Sequence, residues 1–195
     1  FYGMYNWYTF DTRISGNVIR DNWTGSTSVS WGMQNWYNTR TNIDNNIVRD
    51  NQPFANFDAI ECFFGSTGTV TGNLITNNVS TTTTSSYNQR GLDIQNPTNI
   101  LINRNQIIGN ETRFSSTLWG IELRNTNNTQ CESNLVARQR SFSTQYAIYA
   151  LNSSGAGNNT IDNNTVDIAT VSPTTFNFIY GLFVSGNSTT GPWRV

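Results

Sequence analysis

Apolar and polar positions along this chain alternate in short bursts, and the bursts come in two recurring forms. The first form is a small residue, an apolar residue, a variable position and a further apolar one. It occurs at Tyr2-Gly3-Met4-Tyr5, Trp31-Gly32-Met33-Gln34, Asp58-Ala59-Ile60-Glu61, Arg90-Gly91-Leu92-Asp93, Trp119-Gly120-Ile121-Glu122, Tyr146-Ala147-Ile148-Tyr149 and Tyr180-Gly181-Leu182-Phe183. The second form is an apolar residue, two variable positions, Asn, a variable position and an apolar residue. Its copies centre on Asn17, Asn46, Asn73, Asn105, Asn134 and Asn164. The small residues are 29, 27, 32, 29, 27 and 34 positions apart and the Asn residues 29, 27, 32, 29 and 30, so two registers agree through four intervals. Short period-two segments separated by Gly, Asn, Ser and Thr predict strands. A leucine-rich repeat would need a Leu consensus that is absent.

Strands that recur once per coil stack in parallel on their counterparts one coil later, about 4.8 Å away. The chain is therefore predicted to be all-β, a single-stranded right-handed parallel β-helix or solenoid of about six complete coils of roughly 27–34 residues. Four inward ladders can be written. They are Met4, Met33, Ile60, Leu92, Ile121, Ile148, Leu182; Asn6, Asn35, Cys62, Ile94, Leu123, Ala150, Val184; Ile14, Ile43, Val70, Ile102, Cys131, Ile161; and Ile19, Val48, Ile75, Ile107, Val136, Val166. The six Asn residues are predicted to form one buried ladder, because Asn tolerates a left-handed turn and its amide bonds backbone and the next Asn. Cys62 and Cys131 fall on different ladders about two coils apart, too far for a disulfide, and are predicted to be buried free thiols.

Composition narrows the function. The 195 residues give room for one domain, residues 1–195, with 36% apolar residues and a net charge of -1, so the chain is expected to fold. It begins and ends within a coil with no amphipathic helix over either end. That predicts a fragment of a larger protein or assembly whose ends are sealed by neighbouring subunits or flanking domains. Eleven scattered Arg, no Lys and no His leave no basis for nucleic-acid binding, and no apolar run is long enough to span a membrane. Without His, neither a Ser-His-Asp nor a Cys-His nucleophile nor a His metal site can form. Asp21, Asp44 and Asp50 are weak calcium candidates, and no metal or cofactor is expected. The Asn- and Thr-rich, Lys-free character and eight Asn-x-Ser/Thr sequons, among them Asn22, Asn78, Asn110 and Asn163, fit an extracellular, cell-surface or virion-surface location, although chance alone supplies about as many sequons.

The combined pattern, in which an aromatic-Gly-apolar strand is followed by I-x-x-N-x-I-x-x-N, resembles the β-helix repeats of the pectin-lyase-like superfamily over essentially the whole chain. That group includes polygalacturonases, pectate lyases and phage tailspikes. The resemblance implies a polysaccharide or glycan partner but does not fix an activity. The His-containing motif of polygalacturonases and Lys-dependent lyase chemistry are both absent. What remains is Asp/Glu-dependent glycoside hydrolysis, or elimination by Arg with calcium.

An outward column reads Tyr5, Gln34, Glu61, Asp93, Glu122, Tyr149, Phe183. Glu61, Asp93 and Glu122 on successive coils would lie about 5 Å apart, with about 10 Å between the outer pair. These separations straddle those of retaining and inverting glycosidases, and stacked like charges raise at least one pKa. The three acids are the candidate catalytic residues; Tyr149, Trp119, Arg90 and Arg124 are the candidate substrate-binding residues. The small-residue column is expected to lie beside them as a shallow track, walled by residues 81–86 with Phe114, Trp119 and Tyr146. Trp7, Tyr8, Phe10, Trp23, Trp36, Tyr37, Phe63 and Phe64 add an aromatic surplus in the first three coils. Two functions follow. One is a carbohydrate-recognising or carbohydrate-cleaving domain centred on the acidic column. The other is a non-enzymatic structural module of a surface fibre, filament, spike or adhesin, in which Arg90 and Arg124 merely neutralise the acids.

Overall fold

Each coil contributes a long strand and two short ones, as the two sequence forms require. The computed structural model describes residues 1–25, 27–64, 67–82, 87–113, 116–151, 158–168, 178–186 and 193–195. The first two coils hold β1 (Tyr2–Trp7), β2 (Arg13–Ser15), β3 (Val18–Arg20), β4 (Ser30–Asn38), β5 (Thr41–Asp44) and β6 (Ile47–Arg49). The next two hold β7 (Phe57–Phe64), β8 (Gly68–Thr71), β9 (Leu74–Thr76), β10 (Gln89–Gln95), β11 (Ile100–Asn103) and β12 (Gln106–Ile108). Then come β13 (Leu118–Arg124), β14 (Gln130–Glu132), β15 (Leu135–Gln139), β16 (Thr144–Leu151), β17 (Asn159–Asp162), β18 (Thr165–Ile168), β19 (Phe178–Ser185) and β20 (Trp193–Arg194). Every pairing between them is parallel and joins a strand to its counterpart one coil away, giving sheets of seven, seven and six strands.

The predicted ladders form the core. Met33, Ile60, Leu92, Ile121 and Ile148 pack with Cys62, Ile94, Leu123 and Ala150, and the two short-strand ladders close the other side. In the last two coils the ladders are more open, with Val166, Leu182 and Val184 partly exposed. Both cysteines are buried and unpaired, as predicted. Burial pushes their thiols up, Cys131 to about 12, so they act as small apolar side chains.

The small-residue column is not an outward track. A Cβ on Gly3, Gly32, Gly91 or Gly120 would meet the carbonyl of the next coil and the side chains of Ile19, Val48, Ile107 and Val136 at 2.4–2.7 Å. The small residue and the apolar residue after it both face inward, so the strand slips by one in its alternation. Small residues sit there because the long strand and the third sheet approach too closely for a larger one. The slip leaves two outward positions three residues apart, Asp58 and Glu61 in the third coil.

The predicted Asn ladder is present, with one change of detail. The left-handed residue is the one before each Asn: Gly16, Asn45, Gly72, Arg104, Ser133 and Asn163 all have positive φ. The bend points the amide of the following Asn along the solenoid axis. Asn105 shows the pattern. Its Nδ2 donates to Asn134 Oδ1 at 3.0 Å and to Val70 O at 2.8 Å, and its Oδ1 accepts from the Asn73 backbone N–H at 3.0 Å and from Asn73 Nδ2 at 2.9 Å. A second ladder, not predicted, runs through Asn22, Asn51, Asn78, Asn110 and Gln139 at the next corner, again behind left-handed residues. Three of the four sequons named above are members of it. Their Ser or Thr two positions on, Thr24, Ser80 and Thr112, likewise stands at one offset of the coil, so those sequons follow from the repeat.

Candidate functional site

The slip in alternation gives the outer face of the first sheet three columns. The first reads Tyr2, Trp31, Asp58, Arg90, Trp119, Tyr146, Tyr180; the second is the predicted acidic column; the third reads Trp7, Trp36, Phe63, Gln95, Arg124, Leu151. In the third to fifth coils these columns bring together four carboxylates, Asp58, Glu61, Asp93 and Glu122, and two guanidinium groups, Arg90 and Arg124. Side chains on the three columns pack over one another, so although the acids stand on the outer face they are largely covered: Asp58 is 4%, Glu61 6%, Asp93 1% and Glu122 5% exposed.

Each acid has a different set of partners. Arg124 donates two bonds to Asp93, at 2.9 and 2.6 Å, and Gln95 Nε2 adds a third at 3.0 Å. Arg90 bridges Asp58, at 3.0 Å, and Glu122, and its guanidinium lies 4.8 Å over the Trp119 ring. Glu61 has no arginine. Gln34 Nε2, Trp36 Nε1 and Gln95 Nε2 donate to it at 2.6, 3.0 and 3.2 Å. The four acids therefore are not each neutralised by an arginine of their own.

Burial with too few cations pushes protons onto these groups. It raises Asp58 to about 7; Arg90 opposes this but divides its charge among three carboxylates, while Asp93 and Glu61 push the same way. Burial likewise lifts Glu61 and Glu122 above the usual carboxylate range. Next to Glu122 in register stands Tyr149, whose phenol is raised by its own partial burial and then by that charge. Chemically, the face offers a carboxyl, Asp58, able to hold a proton near neutral pH, two more that burial pushes the same way, and arginines paired with the cluster.

Aromatic side chains border the cluster on both sides. Trp36, Tyr37 and Phe63 lie on one, with Tyr37 and Phe63 centroids 4.9 Å apart. On the other, Trp119, Tyr146 and Tyr180 stack along the axis, and Tyr149 stacks on Phe183. Arg90 covers one face of Trp119 and Tyr146 the other, so what that ring presents outward is an edge. Tyr8 and Tyr37 have φ of +53° and +55° at the corner where later coils carry Asn96 and Asn125. Left-handed backbone disfavours bulky aromatics. Of the expected walls, residues 83–86 and Phe114 lie outside the described residues.

Asp58 and Gln95 were not foreseen at the site; Gln34 was placed in the outward column and Trp36 in the aromatic surplus, neither as a partner of Glu61. The signal for Asp58 was its place one residue before the small position, which becomes outward once that position is turned in. One carboxylate oxygen each of Asp58, Glu61 and Asp93 lies within 4.8 Å of the others, a spacing a cation could bridge, but Arg90 and Arg124 already supply positive charge there. The calcium candidates do not combine: Asp44 is bound by Arg13 at 2.8 Å, Asp50 by Arg49 at 2.7 Å, and Asp21 lies 3.6 Å from Arg20. No helix among the described residues is long and apolar enough to cross a membrane.

No curated protein and no solved structure matches the chain. A family model described as a right handed beta helix region matches residues 7–191, which take in strands of all three sheets and the acidic cluster. The chain belongs to the right-handed β-helix family.

Proposed function

We propose that the outer face of the first sheet binds a glycan and hydrolyses it with acidic residues. The observation that carries this reading is Glu61: a buried carboxyl raised by burial, held only by neutral donors, and placed among three further acids that share two arginines. A structural stack would be expected to give each acid its own counter-charge, because an unmatched buried carboxylate is costly. Protonated Glu61 is the proton donor to the leaving glycosidic oxygen. Glu122, in its charged form and paired with Arg90, takes a proton from the attacking water as the C–O bond to the leaving group breaks and the bond to water forms. Two coils separate them, about 10 Å along the axis, nearer to the carboxyl separation of inverting than of retaining hydrolases. Asp93, saturated by Arg124 and Gln95, is a positioning residue. Tyr149 and the edges of Trp119 and Trp36 border the sugar. Such a protein would work outside the cell or on a virion surface, where glycans are met.

The alternative, a non-enzymatic structural module of a surface fibre, spike or adhesin, has its own support in Asp93, which is almost wholly enclosed and satisfied. A screen of the purified protein against polysaccharides, read as new reducing ends, separates the two. Glu61→Gln is expected to lower turnover by about 10²–10⁴. Absence of cleavage and binding across the screen would leave the structural module.

A further inference from the structure

We infer that the glycan carries no acidic groups: it is a polymer of neutral or amino-bearing sugars and not a polyuronide. This rests on the glycan reading above and adds the class of sugar. A uronate or sulfate is held by a free cation at about 2.7–2.9 Å. In a chain with no Lys and no His, that cation must be an arginine. The strands of the first sheet supply two, Arg90 and Arg124, and both are committed to carboxylates of the cluster. Four acids against two arginines leave no positive charge to spare, and Glu61 meets none of it directly. An acidic sugar brought beside Glu61 would find no cation there and would lie near the carboxylates of Asp93 and Glu122 in a poorly solvated place. Sugar hydroxyls, by contrast, find acceptors in Glu61 and Glu122, and an amino group finds a counter-charge.

The aromatic border points the same way independently. Trp36, Tyr37 and Phe63 flank Glu61 with apolar surface that rewards the C–H groups of an uncharged sugar and offers an anion nothing. Tyr37 stands there in a backbone conformation that disfavours it, where later coils use Asn.

The test is equilibrium binding of the whole chain, at low salt, to an array of neutral, amino and uronate oligosaccharides, with cellohexaose, chitosan hexaose and hexagalacturonate as members. At least one non-acidic member should bind, with hexagalacturonate at least tenfold weaker. In Asp58→Asn/Glu61→Gln, checked for folding by its melting curve, hexagalacturonate should lose part of that handicap. Hexagalacturonate bound as tightly as any neutral member, and released by Arg90→Gln, would overturn the class of sugar and leave the glycan reading standing. If no member of the array binds, the glycan reading falls and this inference falls with it.

Discussion

Gln89 is buried between Phe57 and Leu118 of the neighbouring coils, and neither its amide nitrogen nor its oxygen has a partner among the described residues. An unmet buried amide costs about 1–3 kcal/mol, so Gln89→Leu is expected to stabilise the protein. For a chain of this size each kcal/mol moves the melting temperature by about 2–4 °C, which calorimetry would resolve; a lower melting temperature would mean that the amide is satisfied by water. Asp58 makes the opposite kind of demand. Its folded pKa of about 7 lies above its unfolded value near 3.8, so the folded state holds the extra proton between those limits. Its contribution to stability is whole below about pH 4 and is lost as pH rises through 7. The raised Glu61 and Glu122 act in the same direction. Arg40 and Arg13 lower Asp11 and Asp44, whose contributions are lost instead as pH falls below about 4. The melting temperature should therefore be higher at pH 5 than at pH 7.5, and Asp58→Asn should flatten that slope. An unchanged slope in the variant would mean that Arg90 keeps Asp58 charged.

Within a coil, the two amide ladders turn the corners around the third sheet. Replacing Asn105 by Ala removes four hydrogen bonds and leaves Asn73 Nδ2 and Val70 O short of partners, at an expected cost of about 1–3 kcal/mol by denaturant titration. Asn110→Ala in the second ladder is expected to cost about as much, and if it cost nothing that ladder would be no more than turn chemistry. The first ladder was legible because six copies of one residue stand at one offset. The second stands five residues after the first in each of these coils, but its fifth member is Gln139 and not Asn, and in the next coil the pairing shifts so that Gln139 faces Ile168; the repeat of one residue type is shorter. Strand positions were legible from alternation, but the inward slip at the small residue was not. A glycine reads equally well as an open track or as a place where two sheets nearly touch; only the distance to Ile19 or Val136 decides. That ambiguity hid Asp58, and it is also why the carboxylates read as exposed when their neighbours cover them.

Across the whole solenoid, apolar side chains stack on like side chains, so each coil is stabilised mainly by its neighbours. Two consequences are open to simple measurement. Thiol titration of unreduced, denatured protein should find both Cys62 and Cys131 free; titration of the folded protein should find neither, since both are enclosed. Reactivity of either thiol in the folded state would place it at a surface. The second consequence concerns the acidic face, where stability and function oppose one another. Carboxyls whose protons are held by burial destabilise the charged protein, so neutral amides at those positions relieve the fold while removing the chemistry. The most direct measurement is therefore made on one variant, Glu61→Gln, recording at pH 7.5 both its melting temperature and its cleavage or binding of the glycan found for the wild type. The account predicts a melting temperature equal to or above that of the wild type together with loss of the glycan activity. A lower melting temperature with glycan activity intact would show that Glu61 serves the fold, and would contradict it.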